Sequence, residues 1–336
     1  MTTDTTELTT SVRERRALFR SDATQKLLAF AGLIALFVVF SLASPNFFKF
    51  DNIIGILLAT AVNGVLALGV TFIIVTAGID LSVGTVMTLS AVMSGVFVTF
   101  WGLPIPLGIL AGLATGALAG FVNGIAISKM KIPPFIATLG MMMMAKGLAL
   151  VISGAKPIYF NDTPAFREMA MGSLIGRVIP GFEVPNAVFI LFGAAIIANL
   201  ILTKTVLGRY TVALGSNEEA TRLSGVNVDA WKTAVYALGG AFSGLGGVLM
   251  AARLNSAQPA LGAGYELDAI AAVVIGGTSL SGGEGTILGT VIGAIIISVL
   301  TNGLRILSVP QEWQMVVTGA IVILAVYADI IRRRNQ

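Results

Sequence analysis

The sequence contains no cysteine and no histidine, and only 11% of its 336 residues are charged. Without cysteine there can be no disulfide framework and no thiolate nucleophile, and without histidine there is no imidazole base and no imidazole zinc ligand. Most hydrolytic enzymes depend on these groups, so we expect no catalytic residue, no metal site and no cofactor. An average soluble domain has roughly 25% charged residues, so the low charge indicates a membrane protein.

Apolar residues make up 56% of the chain, and its mean hydropathy is +0.90. They occur in stretches of about 20 residues, the length that crosses a bilayer core of roughly 30 Å as a helix. We therefore predict an all-α polytopic membrane protein with a transmembrane domain at residues 27–331. A cytoplasmic N-terminal tail precedes it at residues 1–26, and a basic C-terminal tail follows at residues 332–336. About ten spans are predicted, near residues 27–44, 53–76, 83–101, 105–128, 134–152, 185–203, 232–252, 264–280, 285–304 and 312–331.

Basic residues give the predicted orientation. With both termini inside, 14 of the 21 lysine and arginine residues face the cytoplasm, as the positive-inside rule requires. Two loops are then long enough to contact other proteins, residues 153–184 outside and residues 204–231 in the cytoplasm. The 14 basic residues are five in the N-terminal tail, Lys129, Lys131, Lys204, Arg209, Arg222, Lys232, Arg332, Arg333 and Arg334.

Glycine recurs every four residues in two of the predicted spans. Such spacing leaves a groove without side chains along one face of a helix, and a neighbouring backbone can enter it. We predict that these two spans pack closely against other helices. The glycines are Gly108, Gly112, Gly116, Gly120 and Gly124 in one span, and Gly285, Gly289 and Gly293 in the other.

The stretch IGGTSLSGGEGT, residues 275–286, contains LSGGE, which differs in one residue from the LSGGQ signature of ATP-binding-cassette ATPases. An ATPase also needs a GxxxxGK[ST] phosphate loop, and no lysine of this chain follows a glycine. We therefore interpret the glycines as a break at which two membrane segments meet in a tight turn. A similar break, TAGIDLSVGT at residues 76–85, indicates a weak internal repeat of the kind found in transporters.

The predicted cytoplasmic loop contains the signals of a short helix. Ser216 and Glu219 form the S-x-x-E pattern of a capping box, and Gly225 supplies a left-handed stop. The helix between them would have about two turns, with Ala220 and Leu223 on a partly apolar face, and is too short to be stable alone in water. It needs a surface to pack on, either the membrane domain of its own chain or another protein.

The sequence EAT at residues 219–221, followed after three residues by Gly225, is similar to the EAA-x3-G motif of permease subunits in ATP-binding-cassette importers. Thr221 stands where the second alanine is usual, and the Leu-Pro ending found downstream in many of these subunits is missing. Further motifs are GIDLSVG (78–84), Asn123-Gly124, IPPFIATLG (132–140), ALGSNEEATRLSGV (213–226) and IGGTSLSGGEGT. In this order they resemble the ribose-, xylose- and galactose-type sugar permeases, from residue 27 onward.

The resemblance implies a permease of about ten spans in the bacterial inner (plasma) membrane that forms a dimeric path together with a second permease subunit. A homodimer is expected, and a heterodimer stays open. A separate cassette ATPase on the cytoplasmic side would drive it, and a periplasmic binding protein would deliver a monosaccharide. Membrane lipid surrounds such a protein, and nucleic acid is not expected as a partner. By resemblance, coupling to the ATPase is assigned to Ser216, Asn217, Glu218, Glu219, Ala220, Leu223 and Gly225.

Polar residues in or beside the spans are candidates for the sugar path, because hydroxyl, amide and carboxylate groups bind neutral sugars. Each has a structural alternative, since Ser, Thr and Asn also form hydrogen bonds between membrane helices. For Asp80 the alternative is to cap the helix that follows, near residues 82–84. The candidates are Asn63, Thr76, Asp80, Ser82, Asn123 and Asn302.

Other functions remain as alternatives. A secondary transporter would also contain repeats and broken helices, but it usually places ionisable groups inside its spans. The candidates singled out here are few: Asp80 and Glu284 lie at the breaks, and Lys146 lies inside a predicted span. An intramembrane enzyme would need a carboxylate pair or a Ser–Lys dyad. A related importer for branched-chain amino acids, nucleosides or autoinducer-like sugars stays open, because the sequence separates these cargoes poorly.

Overall fold

Helices account for nearly all of the chain in the computed structural model, which describes residues 22–179 and 181–334. The all-α prediction is confirmed. Residues 1–21 of the predicted N-terminal tail, with residues 335 and 336 of the C-terminal tail, lie outside the described residues. The elements are α1 (Asp22–Ala43), α2 (Phe50–Val75), α3 (Val83–Gly95, continued by a π-helical turn, Val96–Phe100), α4 (Ile105–Ser128), α5 (Pro134–Ser153), β1 (Ile158–Tyr159), α6 (Pro164–Met171), α7 (Asn186–Lys204), α8 (Val206–Ser216), α9 (Glu218–Leu223), α10 (Val228–Leu254), β2 (Ser256–Ala257), α11 (Tyr265–Ile275), α12 (Ile287–Ile306) and α13 (Gln311–Arg334).

Seven of the described helices are long and apolar enough to cross a membrane. They are α2, α3 with its π-helical turn, α4, α5, α7, α10 and α12, and they coincide with seven of the predicted spans. The other three predicted spans contain α1, whose apolar part is Ala29–Ala43, the short α11, and α13. The polytopic prediction is therefore confirmed, whereas the number ten stays a prediction.

Helix α2 lies at the centre of the fold. From Ala61 to Val75 its side chains are buried almost without interruption, and it contacts α7, α10, α11 and α12. A helix that is apolar on all sides is stable only when other helices surround it. Its position brings the two predicted chain breaks, which follow α2 and α11, close to each other.

Glycine allows α4 and α10 to pack backbone against backbone. A Cβ added to Gly116 would clash with the carbonyl oxygen of Gly240, and one added to Gly120 would clash with the carbonyl oxygen of Tyr236. Backbone atoms cannot rotate away as a flexible side chain can. The four-residue glycine spacing therefore correctly predicted close packing of this span.

Helices α11 and α12 approach each other in the same way on either side of the glycine-rich segment 276–286. Gly276 lies against the carbonyl of Gly289, and Gly293 lies against the carbonyl of Ala272. The prediction that glycines break the helix so that two membrane segments meet is confirmed, while the internal repeat stays a prediction. Three glycines in the break have a left-handed backbone, which other residues rarely adopt: Gly277 (φ +90°), Gly282 (φ +82°) and Gly283 (φ +79°).

The predicted external loop, residues 153–184, is folded. Strand β1 pairs antiparallel with β2, so that Tyr159 lies opposite Ser256. The rings of Phe160 and Phe166 are fully buried and stack with centroids 4.1 Å apart. Thr99, near the end of α3, donates a hydrogen bond to the carbonyl of Tyr159 over 3.3 Å. The strand pair therefore lies level with the end of α3 that is predicted to face outward.

Candidate functional site

The predicted coupling helix is α9, and its start differs from the prediction. Asn217 precedes the helix, and its Oδ1 accepts a hydrogen bond from the backbone N–H of Ala220 at 2.9 Å. Ser216 instead ends α8, where its hydroxyl donates to a carbonyl one turn earlier at 2.9 Å. The predicted capping box of Ser216 and Glu219 is therefore wrong, because α8 extends through Ser216 and the cap falls one residue later.

The far end of α9 agrees with the prediction. Gly225 has φ +84°, and a Cβ there would meet nothing within 4 Å, so backbone conformation and not space selects glycine. Ala220 is exposed, and Leu223 is 83% exposed. The inner side carries Thr221, whose hydroxyl donates to the carbonyl of Ala213 at 3.0 Å. The apolar face of α9 therefore points away from its own membrane domain.

Four charged contacts lie around α9, and two of them join it to α10. Lys232 Nζ lies 2.6 Å from Glu218 Oε2, and Arg222 Nη2 lies 3.2 Å from Glu218 Oε1. Asp229 Oδ1 lies 3.5 Å from Arg222 and 2.9 Å from Lys131. Glu218 and Arg222 belong to α9, Asp229 and Lys232 to α10, and Lys131 to the connection between α4 and α5. These five residues, called the charge network below, connect α9 to three membrane helices.

The charge network lowers the pKa of Glu218. Partial burial by itself raises this pKa, but the hydrogen bonds and charges of Lys232 and Arg222 outweigh it. Glu218 is therefore ionised at neutral pH. Sequence analysis missed Asp229 as a site residue, because its partner Lys131 is 98 positions away and no local pattern links them.

Helix α8 joins α9 to the two chain breaks. Gly215, in the last turn of α8, lies against the carbonyl oxygen of Val75 at the end of α2. The N–H of Gly283, within the LSGGE stretch, donates to the same carbonyl at 2.9 Å. A Cβ on Gly283 would lie 2.7 Å from the hydroxyl oxygen of Ser216. Val75, Gly215 and Gly283, called the junction below, therefore bring both breaks against the segment that leads into α9.

Three candidates for the sugar path come together, and all are buried: Asp80, Ser82 and Asn123 are 2%, 1% and 1% exposed. Asp80 Oδ1 accepts the N–H of Ser82 at 2.7 Å and its hydroxyl at 2.6 Å, and Asn123 donates to the Ser82 hydroxyl at 3.0 Å. Ser82 directly precedes α3, so Asp80 satisfies a backbone N–H ahead of the helix, as the capping account expects. A role of Asp80 in the path stays a prediction.

The other candidates for the sugar path lie apart. Thr76 is buried, and its hydroxyl donates to the carbonyl of Ile73 at 2.7 Å. Asn302 donates to Asn52 Oδ1 at 2.9 Å, near the opposite end of α2. Asn63 is half-buried between them on α2. The structure thus gathers three of the six candidates and separates the rest, and contact of any of them with a sugar stays a prediction.

Carboxylates within residues 22–179 and 181–334 form no group of three or more that could hold a metal ion. Of the charged residues singled out in the sequence, Lys146 is exposed on α5 and Glu284 lies in the break before α12. The arrangement around α9 therefore consists of helix ends, hydrogen bonds and ion pairs, which can transmit a displacement from one segment to another.

Comparison with known proteins gives consistent matches. The family described as branched-chain amino acid transport system / permease component matches residues 52–326. The ribose import permease protein of Haemophilus influenzae is 42% identical over 304 residues, which cover 90% of this chain and 92% of the relative. That of Escherichia coli K12 is 41% identical over 327 residues (96% and 99%), and that of Bacillus subtilis is 42% identical over 318 residues (94% and 96%). No solved structure matches.

Proposed function

Because the chain belongs to the family of branched-chain amino acid transport system permease components, we propose that it is the membrane subunit of an ATP-driven importer for a monosaccharide. The observation that carries the proposal is the 41% to 42% identity to ribose import permeases over at least 90% of the chain. The relatives are permeases and not enzymes. Ribose is therefore the first sugar to test.

The geometry of α9 supports its role as the contact with a separate ATPase subunit. Asn217 and Gly225 define its ends, and Ala220 and Leu223 leave an apolar face exposed. An ATPase in the cytoplasm would bind this face. The charge network on the inner side would then pass its movement to α10 and to the connection between α4 and α5.

One chain would supply half of the path, so the transporter would contain two permease subunits in the inner membrane. Large apolar side chains are exposed along α1, α4, α5, α7 and α13, and lipid or the second subunit would cover them. A periplasmic binding protein would dock at the predicted external side, where β1, β2 and α6 lie.

Uptake by the complete transporter tests the cargo. The chain, a cassette ATPase and a secreted binding protein encoded beside it would be reconstituted in proteoliposomes with labelled ribose, xylose, galactose, leucine or a nucleoside. We expect ATP-dependent uptake of a monosaccharide and not of leucine. Uptake of leucine or a nucleoside would favour the related importers, and uptake driven by a proton gradient without the ATPase would identify a secondary transporter.

A substitution of Leu223 tests coupling, because this side chain is 83% exposed and contributes little to the fold. Leu223→Asp should reduce ATPase association at least tenfold without changing thermal stability. Leu174→Asp, at an exposed leucine of the external loop, is the matched control and should keep association. Normal ATPase binding by Leu223→Asp would remove α9 from the coupling role.

Thiol labelling tests the orientation, since the natural chain has no cysteine. A membrane-impermeant maleimide should label Ala165→Cys from the outside, and Ser11→Cys and Asn335→Cys from the cytoplasm only. Labelling of Ala165→Cys from the cytoplasmic side would reverse the predicted topology.

A further inference from the structure

The segment between α10 and α11 runs back into the membrane domain without helical structure. It leaves β2, which lies level with Thr99 near the end of α3. It then reaches Leu261, whose carbonyl accepts a hydrogen bond from Thr88 Oγ1 at 2.9 Å, and Gly262, which lies against Gly84 in the first turn of α3. Thr88 precedes Thr99 by 11 residues on a helix that rises about 1.5 Å per residue, so the segment descends roughly 16 Å.

Non-helical backbone at this depth needs an explanation, because the hydrocarbon core offers no hydrogen-bond partners. Such backbone is tolerated only where protein buries it or where it lines a water-filled cavity. Ala260, Leu261, Ala263 and Gly264 are exposed in this chain. Burial within the chain therefore does not account for the segment, and its exposed side faces either water or a second subunit.

Charged side chains lie at the ends of three helices in this part of the chain. Glu266 and Asp268 lie in the first turn of α11, directly after the segment, while Arg253 lies in the last turn of α10 and Arg305 in the last turn of α12. None of these four charged residues takes part in the ion pairs found in the described part of the chain. Carboxylates that face lipid at this depth are strongly unfavourable, so Glu266 and Asp268 favour water over lipid at the exposed side of the segment.

Glu266 is held at this place by two contacts. Both of its carboxylate oxygens accept the N–H of Gly264 at 3.1 Å. A Cβ on Gly84 would lie 2.6 Å from Glu266 Oε2, so the last glycine of GIDLSVG makes room for this carboxylate. The first turn of α3 and the first turn of α11 thus meet at one polar site.

We propose that residues 258–264 and the first turn of α11 form a wall of the solute path, where Tyr265, Glu266 and Asp268, with Arg253 and Arg305, bind an uncharged polyhydroxylated solute. Two carboxylates and two guanidinium groups carry no net charge, which suits a neutral ligand. Carboxylates accept hydrogen bonds from hydroxyl groups, guanidinium groups donate them, and the tyrosine ring offers an apolar face to the C–H side of a sugar ring. The assignment rests on the proposed function, and it names the site within it.

Single cysteines in the assembled transporter test whether the wall meets water. Ala263→Cys and Leu267→Cys should react with a charged methanethiosulfonate, tested from both sides of the membrane with and without ATP. The matched control is Ile196→Cys on the continuous helix α7, because Ile196 and Leu267 are similarly exposed, at 63% and 58%. The proposal would be overturned if Leu267→Cys and Ala263→Cys both react no faster than the control under all conditions.

Ligand binding is tested with Glu266→Gln and Asp268→Asn, which keep the size of each side chain and remove its charge. We expect ATP-dependent ribose uptake to fall at least tenfold, while ATP hydrolysis stimulated by the binding protein stays within twofold of wild type. Glu312→Gln, at an exposed carboxylate in the first turn of α13, should leave uptake unchanged. Wild-type uptake in both variants would overturn the role of the carboxylates.

Two measurements, cysteine labelling and sugar uptake, test the proposed wall and the proposed cargo independently. Ribose should slow the labelling of Ala263→Cys at least threefold in the assembled transporter, and leucine should not. If the wild-type transporter carries no sugar but Ala263→Cys still reacts with the charged reagent, the cargo is wrong and the water-lined wall stands. If sugar uptake is normal and Ala263→Cys never reacts, the cargo stands and the wall is wrong.

Discussion

Helix α10 makes two contacts of opposite kinds, one along its length and one at the end where it begins. Along most of its length it packs on α4 through glycine backbone, with Gly240 against Gly116. At its predicted cytoplasmic end it holds α9 through long charged side chains, such as Lys232 on Glu218. The first contact is rigid, because the backbone atoms of α4 and α10 already touch and cannot move closer. The second uses long, flexible side chains, so α9 can shift without disrupting the packing of the membrane domain.

The largest effect is expected where the backbones touch. Gly116→Leu should lower the free energy of unfolding by about 3 kcal/mol, because overpacking forces α4 and α10 apart. Gly140→Leu is the matched control, since a Cβ at Gly140 would meet nothing within 4 Å. Thermal unfolding of both variants in detergent measures the difference. Equal stability of the two would mean that the contact between α4 and α10 is not rigid.

A smaller loss of stability is expected when Asp80, a buried polar residue, is replaced. Asp80→Ala leaves the N–H and hydroxyl of Ser82 without their acceptor, which should cost about 2 kcal/mol of unfolding free energy. Asp80→Asn keeps an oxygen at the same position and should remain close to wild type in stability and uptake. Loss of uptake in Asp80→Asn, with normal stability and ATPase binding, would instead place Asp80 in the sugar path.

The ends of α9 should affect coupling more than global stability. Asn217→Ala removes the cap of α9, which should cost about 1 kcal/mol of local helix stability. Gly225→Val should act similarly, because valine disfavours φ +84°. Both should weaken ATPase association while the thermal midpoint of the membrane domain stays unchanged. Glu219→Ala is the control for Asn217→Ala, and it should leave the local stability of α9 nearly unchanged if the cap lies at Asn217. Proline at Glu219 is expected to be mild, since the first helical turn tolerates it.

The smallest effect is expected in the charge network. Glu218 is 42% exposed, so its ion pairs contribute at most about 1 kcal/mol. Because its pKa is lower in the folded protein, this contribution is present above the ordinary pKa of about 4.3 and is lost as pH falls through the folded value. A spin label at Leu223→Cys should therefore gain mobility between pH 7 and pH 3.5. Glu218→Gln should raise the mobility at pH 7 and reduce the change with pH, and an unaltered pH profile would contradict the assignment to Glu218.

The sequence alone predicted those structural features that depend on the residue type at a single position. The glycine spacing in α4 predicted close packing, and Gly225 predicted a left-handed stop, since both depend on the missing side chain. The choice between Ser216 and Asn217 as the cap was not predictable, because both residue types are good caps and the end of α8 decides between them.

Contacts between residues that are far apart in the chain could not be predicted from the sequence, for a different reason. Lys131 and Asp229 are polar residues at the ends of helices, and nothing local indicates that they pair. The length of α11 was overestimated, because the predicted span extends to residue 280 whereas the glycines after Ile275 end the helix. Asp80, Ser82 and Asn123 were recognised as polar, but only the packing of α3 against α4 shows that they bond to each other and are buried.

The junction has a mechanical consequence for the two chain breaks. The carbonyl of Val75 accepts the N–H of Gly283 while Gly215 rests against it, so one oxygen atom is the meeting point of three segments. No side chain separates these three segments. A movement of α8 toward the membrane domain would therefore displace the end of α2 and the loop before α12 together. We therefore expect the two breaks to move together when α8 moves, and we expect Gly215→Ala to hold them apart, because its methyl group would clash with the carbonyl oxygen of Val75.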